Sequence, residues 1–180
     1  RVYGSDHLGW DQSEKKLGAW RNFFRAVNTE RTQECDWFMY VQDDVILANH
    51  ARTYLESIDI PRDGVILLCK SAGYRASSHG FIPVTPTHKG ITGAWCLVWS
   101  PEVLNAFADS EHARNWDTGR DHRNNEFPSS IDLCIGQWAW KEQIPCYVHA
   151  PSLAQHIGTG RNGVRSSLGH KTMEPYMVAD

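Results

Sequence analysis

Two adjacent carboxylates, Asp43 and Asp44, follow directly on the apolar run Trp37, Phe38, Met39, Tyr40, Val41 and then Gln42. A second apolar run, Val45-Ile46-Leu47, resumes on their far side. Carboxylates flanked in this way are costly to bury unless they are paired or bind a metal. Hard divalent cations such as Mg²⁺ or Mn²⁺ take one or two protein carboxylates and fill the remaining positions with phosphate oxygens and water. The alternative is a solvated turn, with Asp44 capping the next element. A second candidate lies far along the chain, where His149, Pro151 and Ser152 lead to Gln155-His156-Ile157-Gly158. A neutral imidazole at His156 would complete a coordination shell begun by Asp44; otherwise it is a hydrogen-bonded histidine under a loop. A third candidate is Asp132, two residues beyond Ser130 in the first turn of an expected helix. There a carboxylate either complements the helix dipole, worth ~0.3–1 kcal/mol, or stands at a cleft edge as a general base.

Placing these groups requires elements that end close together. Val2-Tyr3 reads as the end of a strand, broken by Gly4 to Asp6 and by Gly9. Asp11 and Glu14 have the spacing of a capping box, and Leu17, Trp20, Phe23, Phe24 and Val27 recur at helical intervals. The runs Trp37 to Val41 and Val65 to Cys69 are short, apolar and followed by polar residues, as expected of strands buried on both faces of an α/β sheet. Between them a helix is expected over 49–58. Residues 70–90 read as loops around a short strand, Phe81 to Val84, and Ile91 to Trp99 as a further strand. Ser100-Pro101 is a helix start with Ser as cap and Pro at the first helical position. Residues 112–128 read as a polar loop, Ser129 or Ser130 as the cap of the next helix, and Ile144 to His149 as the last strand. Pro151 to Gly158 is expected to run from that strand into a tail rich in Gly, Arg and Ser.

Strands alternating with helices, with no repeat or linker, imply one α/β domain over 1–180. Its sheet is expected to be mostly parallel, flanked by helices. In open α/β sheets ligands bind beyond the carboxyl ends of the strands, which is where Gln42, Asp43 and Asp44 stand. Hydrophobic residues at 41% and charged residues at 22% fit a globular chain. No apolar run approaches the ~20 residues of a membrane-spanning helix, so no membrane span is expected. A formal charge of −3 gives no general attraction to nucleic acid. The five cysteines are odd in number and widely spaced, which reads as reduced, buried thiols in a cytoplasmic protein rather than a disulfide framework.

Taken in order, four segments resemble a specific family. Asp36 to Val45 looks like the metal-binding strand end of GT-A fold glycosyltransferases, whose DxD-type motif is often an acidic or Gln residue followed by two Asp. Thr92 to Cys96 is similar to the small-residue segment these enzymes place near donor sugar and acceptor. Ser130 to Gly136 resembles the helix start that supplies a catalytic Asp. Pro151 to Gly158 is similar to the PSLxQHxG segment of a bacterial and phage branch. The resemblance spans most of the chain from Asp36 onward. It implies a Rossmann-like GT-A domain that binds Mn²⁺ or Mg²⁺ and transfers a hexosyl group from a nucleotide-sugar, UDP-linked by expectation, to a hydroxyl acceptor. Asp44 and His156 would hold the metal, and Asp132 would be the base. Asp43, Gln42, Gly93 and Trp95 would line the donor, with Asp6 toward the nucleotide. Apart from the resemblance, Arg161 and Arg165 in the Gly-rich segment after His156 are candidates to clamp a diphosphate or a polyanionic acceptor, or else are solvated tail charges. Only Val2-Tyr3 precedes the first loop, so the family's usual first strand is expected to be missing from the chain, or the protein to be a small version.

The acceptor is expected to be a glycan or, as in phage relatives that glycosylate modified DNA bases, a nucleic acid. The basic residues Arg114, Arg120, His122 and Arg123 would meet an anionic acceptor, although acidic residues are interleaved with them. Two other readings share the acidic pair. One is a metal-dependent nucleotidyltransferase or pyrophosphatase, whose Gly-rich phosphate loop is not evident here. The other is a nucleotide- or sugar-binding domain of the same fold without turnover.

Overall fold

The computed structural model describes residues 18–31, 34–42, 44–69, 79–88, 90–116 and 130–156. The readings of Val2-Tyr3, of the Asp11 and Glu14 cap, and of Asp6, Asp43, Arg120, His122, Arg123, Arg161 and Arg165 lie outside these residues.

Helix α1 (Gly18–Glu30) buries Trp20, Phe23 and Val27, the face its apolar spacing predicts. Strand β1 (Phe38–Val41) and the short β2 (Val45–Leu47) flank the acidic segment. Helix α2 (Ala51–Ser57) then leads to β3 (Val65–Leu67). Strands β4 (Gly80–Val84) and β5 (Cys96–Trp99) come next, then α3 (Pro101–Asp109) and the single turn α4 (Glu111–Arg114). Helix α5 (Ile131–Lys141), β6 (Cys146–Ala150) and β7 (Ala154–His156) complete the series.

Among the described residues five strands form one sheet in the order β1-β5-β3-β6-β4, and β2 pairs with β7 in a separate ribbon. Only the β3–β6 ladder is parallel; β1–β5, β3–β5 and β4–β6 are antiparallel. The expected mostly parallel sheet is thus corrected to a mixed one. Strand direction depends on which strand a segment meets, and β5 is inserted between β1 and β3 against both. The edge strand β4 carries Pro83, a residue without an N–H to donate to a ladder.

Alternation along β3 shows how the sheet is covered. Val65 and Leu67 join a core built with Trp20, Phe23, Phe107, Ile135 and Trp138, from α1, α3 and α5. Ile66 and Leu68 point into a second core with Ala51, Leu55 and Leu153, from α2 and the turn before β7. Successive strand residues face opposite ways, so a strand apolar throughout must be buried on both faces. That is the property read from its sequence.

Three further expectations are revised. The strand expected over Ile91 to Trp99 begins only at Cys96, because Gly93 adopts φ +105°, a left-handed conformation that breaks an extended run. The polar loop expected from 112 opens instead as α4, capped by the Ser110 hydroxyl, which accepts from the Ala113 amide. The segment Pro151 to Gly158, expected only to lead from the last strand into the tail, contains a strand, β7, paired residue for residue with β2.

Candidate functional site

The β2–β7 ribbon places the two expected metal ligands opposite each other. Val45 pairs with His156 in antiparallel register, so the residue just before β2 meets the last residue of β7. His156 Nε2 donates to Asp44 Oδ2 at 2.8 Å, across 112 positions of sequence. The two side chains are 17% and 34% exposed respectively, enough for a ligand to reach them. The other carboxylate oxygen, Asp44 Oδ1, is buried and has no hydrogen-bond partner among the described residues. A buried, unpartnered carboxylate oxygen is expensive. It is a position where a cation would be stabilised.

Trp95 fixes the imidazole from one side. Its ring stacks on His156 with centroids 4.9 Å apart and planes 20° from parallel. Its carbonyl accepts from the Gln42 amide at 2.9 Å, tying the end of β1 to the start of β5. Gln42 also accepts from the Val45 amide through its own carbonyl, at 3.2 Å, so the acidic segment leaves β1 and enters β2 through a closed turn. Beneath it, the His156 backbone hydrogen-bonds the buried Cys69 thiol, while desolvation pushes that thiol up to about 11. Cys69 is thereby kept a protonated structural group and not a thiolate ligand.

The catalytic candidate sits on a second support. The Ser130 hydroxyl accepts from the Leu133 amide and caps α5, leaving Asp132 in the first turn as expected. Asp132 Oδ2 accepts from the Gly93 amide at 3.1 Å, and its backbone carbonyl accepts from the Ile91 amide at 3.2 Å. Gln137 adds a third tie, donating to the His88 carbonyl at 2.8 Å. This close docking of a helix on a loop requires a missing side chain. A Cβ on Gly136 would lie 2.2 Å from the backbone of Gly90 and Ile91.

The structure therefore joins Gln42, Asp44, Trp95 and His156 in one group, and Gly93 with Asp132 in another. The segment from Gly93 to Trp95 connects the two. Asp43, Asp6 and Arg161 lie outside the described residues. Arg114, expected to face an anionic acceptor, is engaged with Asp109 at 2.6 Å. Among the described residues no group of three or more His, Cys, Asp or Glu side chains is gathered for a metal. Asp44 and, once Nε2 gives up the proton it now donates, His156 would supply two metal-binding atoms, a set that fits a cation completed by phosphate and water.

Sequence reasoning missed Gly136, Gly90 and Tyr54, and used His149 only to mark where a segment begins. A glycine inside an otherwise apolar helical pattern was the available signal for Gly136. Nothing local signals Tyr54. No helix among the described residues is long and apolar enough to cross a membrane. Comparison with models of known protein families finds no match to the chain, and comparison with curated proteins finds none.

Proposed function

We propose that the chain is the catalytic domain of a metal-dependent glycosyltransferase of GT-A type, moving a sugar from a nucleotide-sugar donor, UDP-linked by preference, to a hydroxyl acceptor. One observation carries this reading: Asp44 and His156, 112 positions apart, meet at 2.8 Å while the second Asp44 oxygen is buried without a partner. The hydrogen bond satisfies His156 Nε2 and Asp44 Oδ2 and leaves Oδ1 unmet. A metal or phosphate-metal ligand would supply that missing partner.

In this reading Asp44 and His156 hold Mn²⁺ or Mg²⁺, which when bound neutralises charge on the departing diphosphate. The rest of the chemistry falls to the chain's own groups. Asp132 takes the proton from the acceptor hydroxyl as its oxygen bonds to the anomeric carbon and the bond to the diphosphate oxygen breaks. The Gly93 amide holds the Asp132 carboxylate in one orientation, and Trp95 keeps the His156 ring in plane. Gln42, Gly93 and Trp95 form the donor side; the resemblance assigns Asp43 and Asp6 to the donor and its nucleotide, and Arg161, by its place in the Gly-rich segment after His156, is assigned to the diphosphate. The acceptor is a hydroxyl of a glycan or of a modified nucleic acid.

A thermal-shift screen of nucleotide-sugars with and without Mn²⁺ tests the proposal, since a ligand specific for the folded state raises the melting temperature. A shift with one nucleotide-sugar, dependent on metal and lost in Asp44→Ala, is expected. Asp132→Asn should keep that shift and lower turnover by ~10²–10⁴-fold. Donor binding identical with and without Mn²⁺ would remove the metal from the reading. Binding without turnover in the unaltered chain would favour a sugar- or nucleotide-binding domain instead.

A further inference from the structure

His149 is out of place in an apolar core. It lies on β6 and is 1% exposed, packed edge-on against the rings of Phe81 and Tyr54 at 5.0 and 5.5 Å. Burying a polar ring has a cost that hydrogen bonds must offset, and both nitrogens are used. Nδ1 lies 2.7 Å from the Pro151 carbonyl oxygen, which can only accept, so Nδ1 carries the proton. Nε2, 3.2 Å from the Tyr54 hydroxyl, is then the acceptor. Desolvation holds this imidazole below its ordinary pKa, consistent with the neutral form these contacts define.

The partners give the arrangement its meaning. Pro151 opens the turn that delivers β7, and Tyr54 belongs to α2, the helix that comes after β2. The same turn is tied at Leu153, whose amide donates to the Leu68 carbonyl and whose carbonyl accepts from the Ala48 amide, both at 2.9 Å. Those ties are backbone groups, available to any sequence. The Pro151 carbonyl is held by a side chain, and that side chain is in turn held by α2.

We propose that His149 and Tyr54 are positioning residues that set the turn from Pro151 to Leu153, so that β7 brings His156 against Asp44. The inference rests on taking those two residues as the functional site, but its central claim concerns their contact and holds with or without a metal.

The test uses the full chain and two readouts. Long-range ¹H–¹⁵N spectra of the histidine rings report the His156–Asp44 hydrogen bond, with Asp44→Ala supplying the signal of an unpartnered His156. Mn²⁺ titration reports the metal site. His149→Phe should move the His156 ring signals toward those of Asp44→Ala and weaken Mn²⁺ binding at least tenfold. His149→Asn, whose amide nitrogen stands near the place of Nδ1, should restore most of both; Tyr54→Phe should fall between. Phe107→Leu, in the core on the other face of the sheet, serves as a control that lowers the melting temperature and leaves the His156 signals unchanged. Unchanged His156 signals in both His149→Phe and Tyr54→Phe would overturn the proposal. Equal loss in His149→Asn and His149→Phe, or an equal displacement in Phe107→Leu, would also overturn it by reducing the role to packing. If the signals respond as expected but the unaltered chain ignores Mn²⁺, the metal reading fails and the positioning role stands.

Discussion

Gly136→Ala is the most informative single substitution in the molecule, because it inserts one methyl group between α5 and the loop it docks on. The new Cβ would lie 2.2 Å from Gly90 and Ile91 backbone atoms, about 1.2 Å closer than the 3.4 Å at which ordinary contact begins. Those atoms are backbone and cannot swing aside, so α5 must withdraw. A withdrawal of that size stretches the Gly93–Asp132 and Ile91–Asp132 hydrogen bonds, now 3.1 and 3.2 Å, beyond useful length. Losing both costs about 0.5–1.5 kcal/mol each, and overpacking adds roughly 1–3 kcal/mol. Alanine's better helix propensity returns about 1 kcal/mol. The net expectation is a loss of about 1–5 kcal/mol, or roughly 2–20 °C in melting temperature for a chain of this size. Urea denaturation and hydrogen exchange at the Gly93 amide measure the two consequences separately. Gly64→Ala is the matched control: its Cβ would meet the Pro145 carbonyl at 2.4 Å, at the other end of β3. It should destabilise the chain and leave Gly93 exchange as it was after correction for global stability. A Gly136→Ala protein that melts within about 1 °C of the parent, or that keeps full Gly93 protection, refutes the reasoning.

Three other outcomes are expected from burial and capping. His149 is held below its ordinary value of 6.5 by burial, so the unfolded chain binds that proton more readily. Stability contributed by neutral His149 should be complete above about pH 6.5 and decline as pH falls below it, by at most ~1.4 kcal/mol per pH unit; urea melts from pH 5 to 8 on the parent and His149→Phe isolate the slope. Burial raises the Cys69, Cys96 and Cys146 thiols to about 11, 12 and 12, and Cys134 is also buried. A thiol reagent at pH 8 should therefore modify Cys35 readily and these four only on unfolding, as counted by mass spectrometry; fast labelling of any of the four would contradict the packing. Ser100 both caps α3 and donates to the Arg62 carbonyl at 2.8 Å, whereas Ser130 caps α5 in a half-buried setting. Ser100→Ala should cost about 1–2 kcal/mol and Ser130→Ala about 1 kcal/mol, and denaturant titration would expose a reversal of that order.

The sequence was most legible where the physics is local. Ser100-Pro101 and Ser130 start helices because capping and fixed φ act within one turn. The apolar run at Val65 shows as a buried strand because both faces need apolar residues, whereas the run at Trp37, read in the same way, forms the edge strand β1, which is only partly buried and leaves Val41 exposed. Strand direction was not legible, since nothing within Cys96 to Trp99 states that it will lie antiparallel to two neighbours. β7 was invisible for a related reason: Ala154-Gln155-His156 has no apolar alternation, and its strand character comes entirely from pairing with β2. Asp44, His156, Gly93 and Asp132 could be named from residue type and order. That Gly93 would hold Asp132, that Trp95 would cover His156, and that His149 would reach Pro151 depended on approaches between segments distant in sequence.

The ribbon of β2 and β7 has a consequence for how the protein comes into being. Its two strands are far apart in the chain, and closing a loop of 112 positions costs about 4 kcal/mol of chain entropy by simple polymer scaling. During translation Asp44 leaves the ribosome long before its partner, with β3, β5 and β6 all made in between. The pairing can form only after the strands it rests on have been made. A nascent chain interrupted between Ala150 and His156 could hold all five strands of its main sheet and still lack the pair altogether. The Asp44–His156 pair is thus conferred by the last described strand, making it a report that the chain has been completed that far.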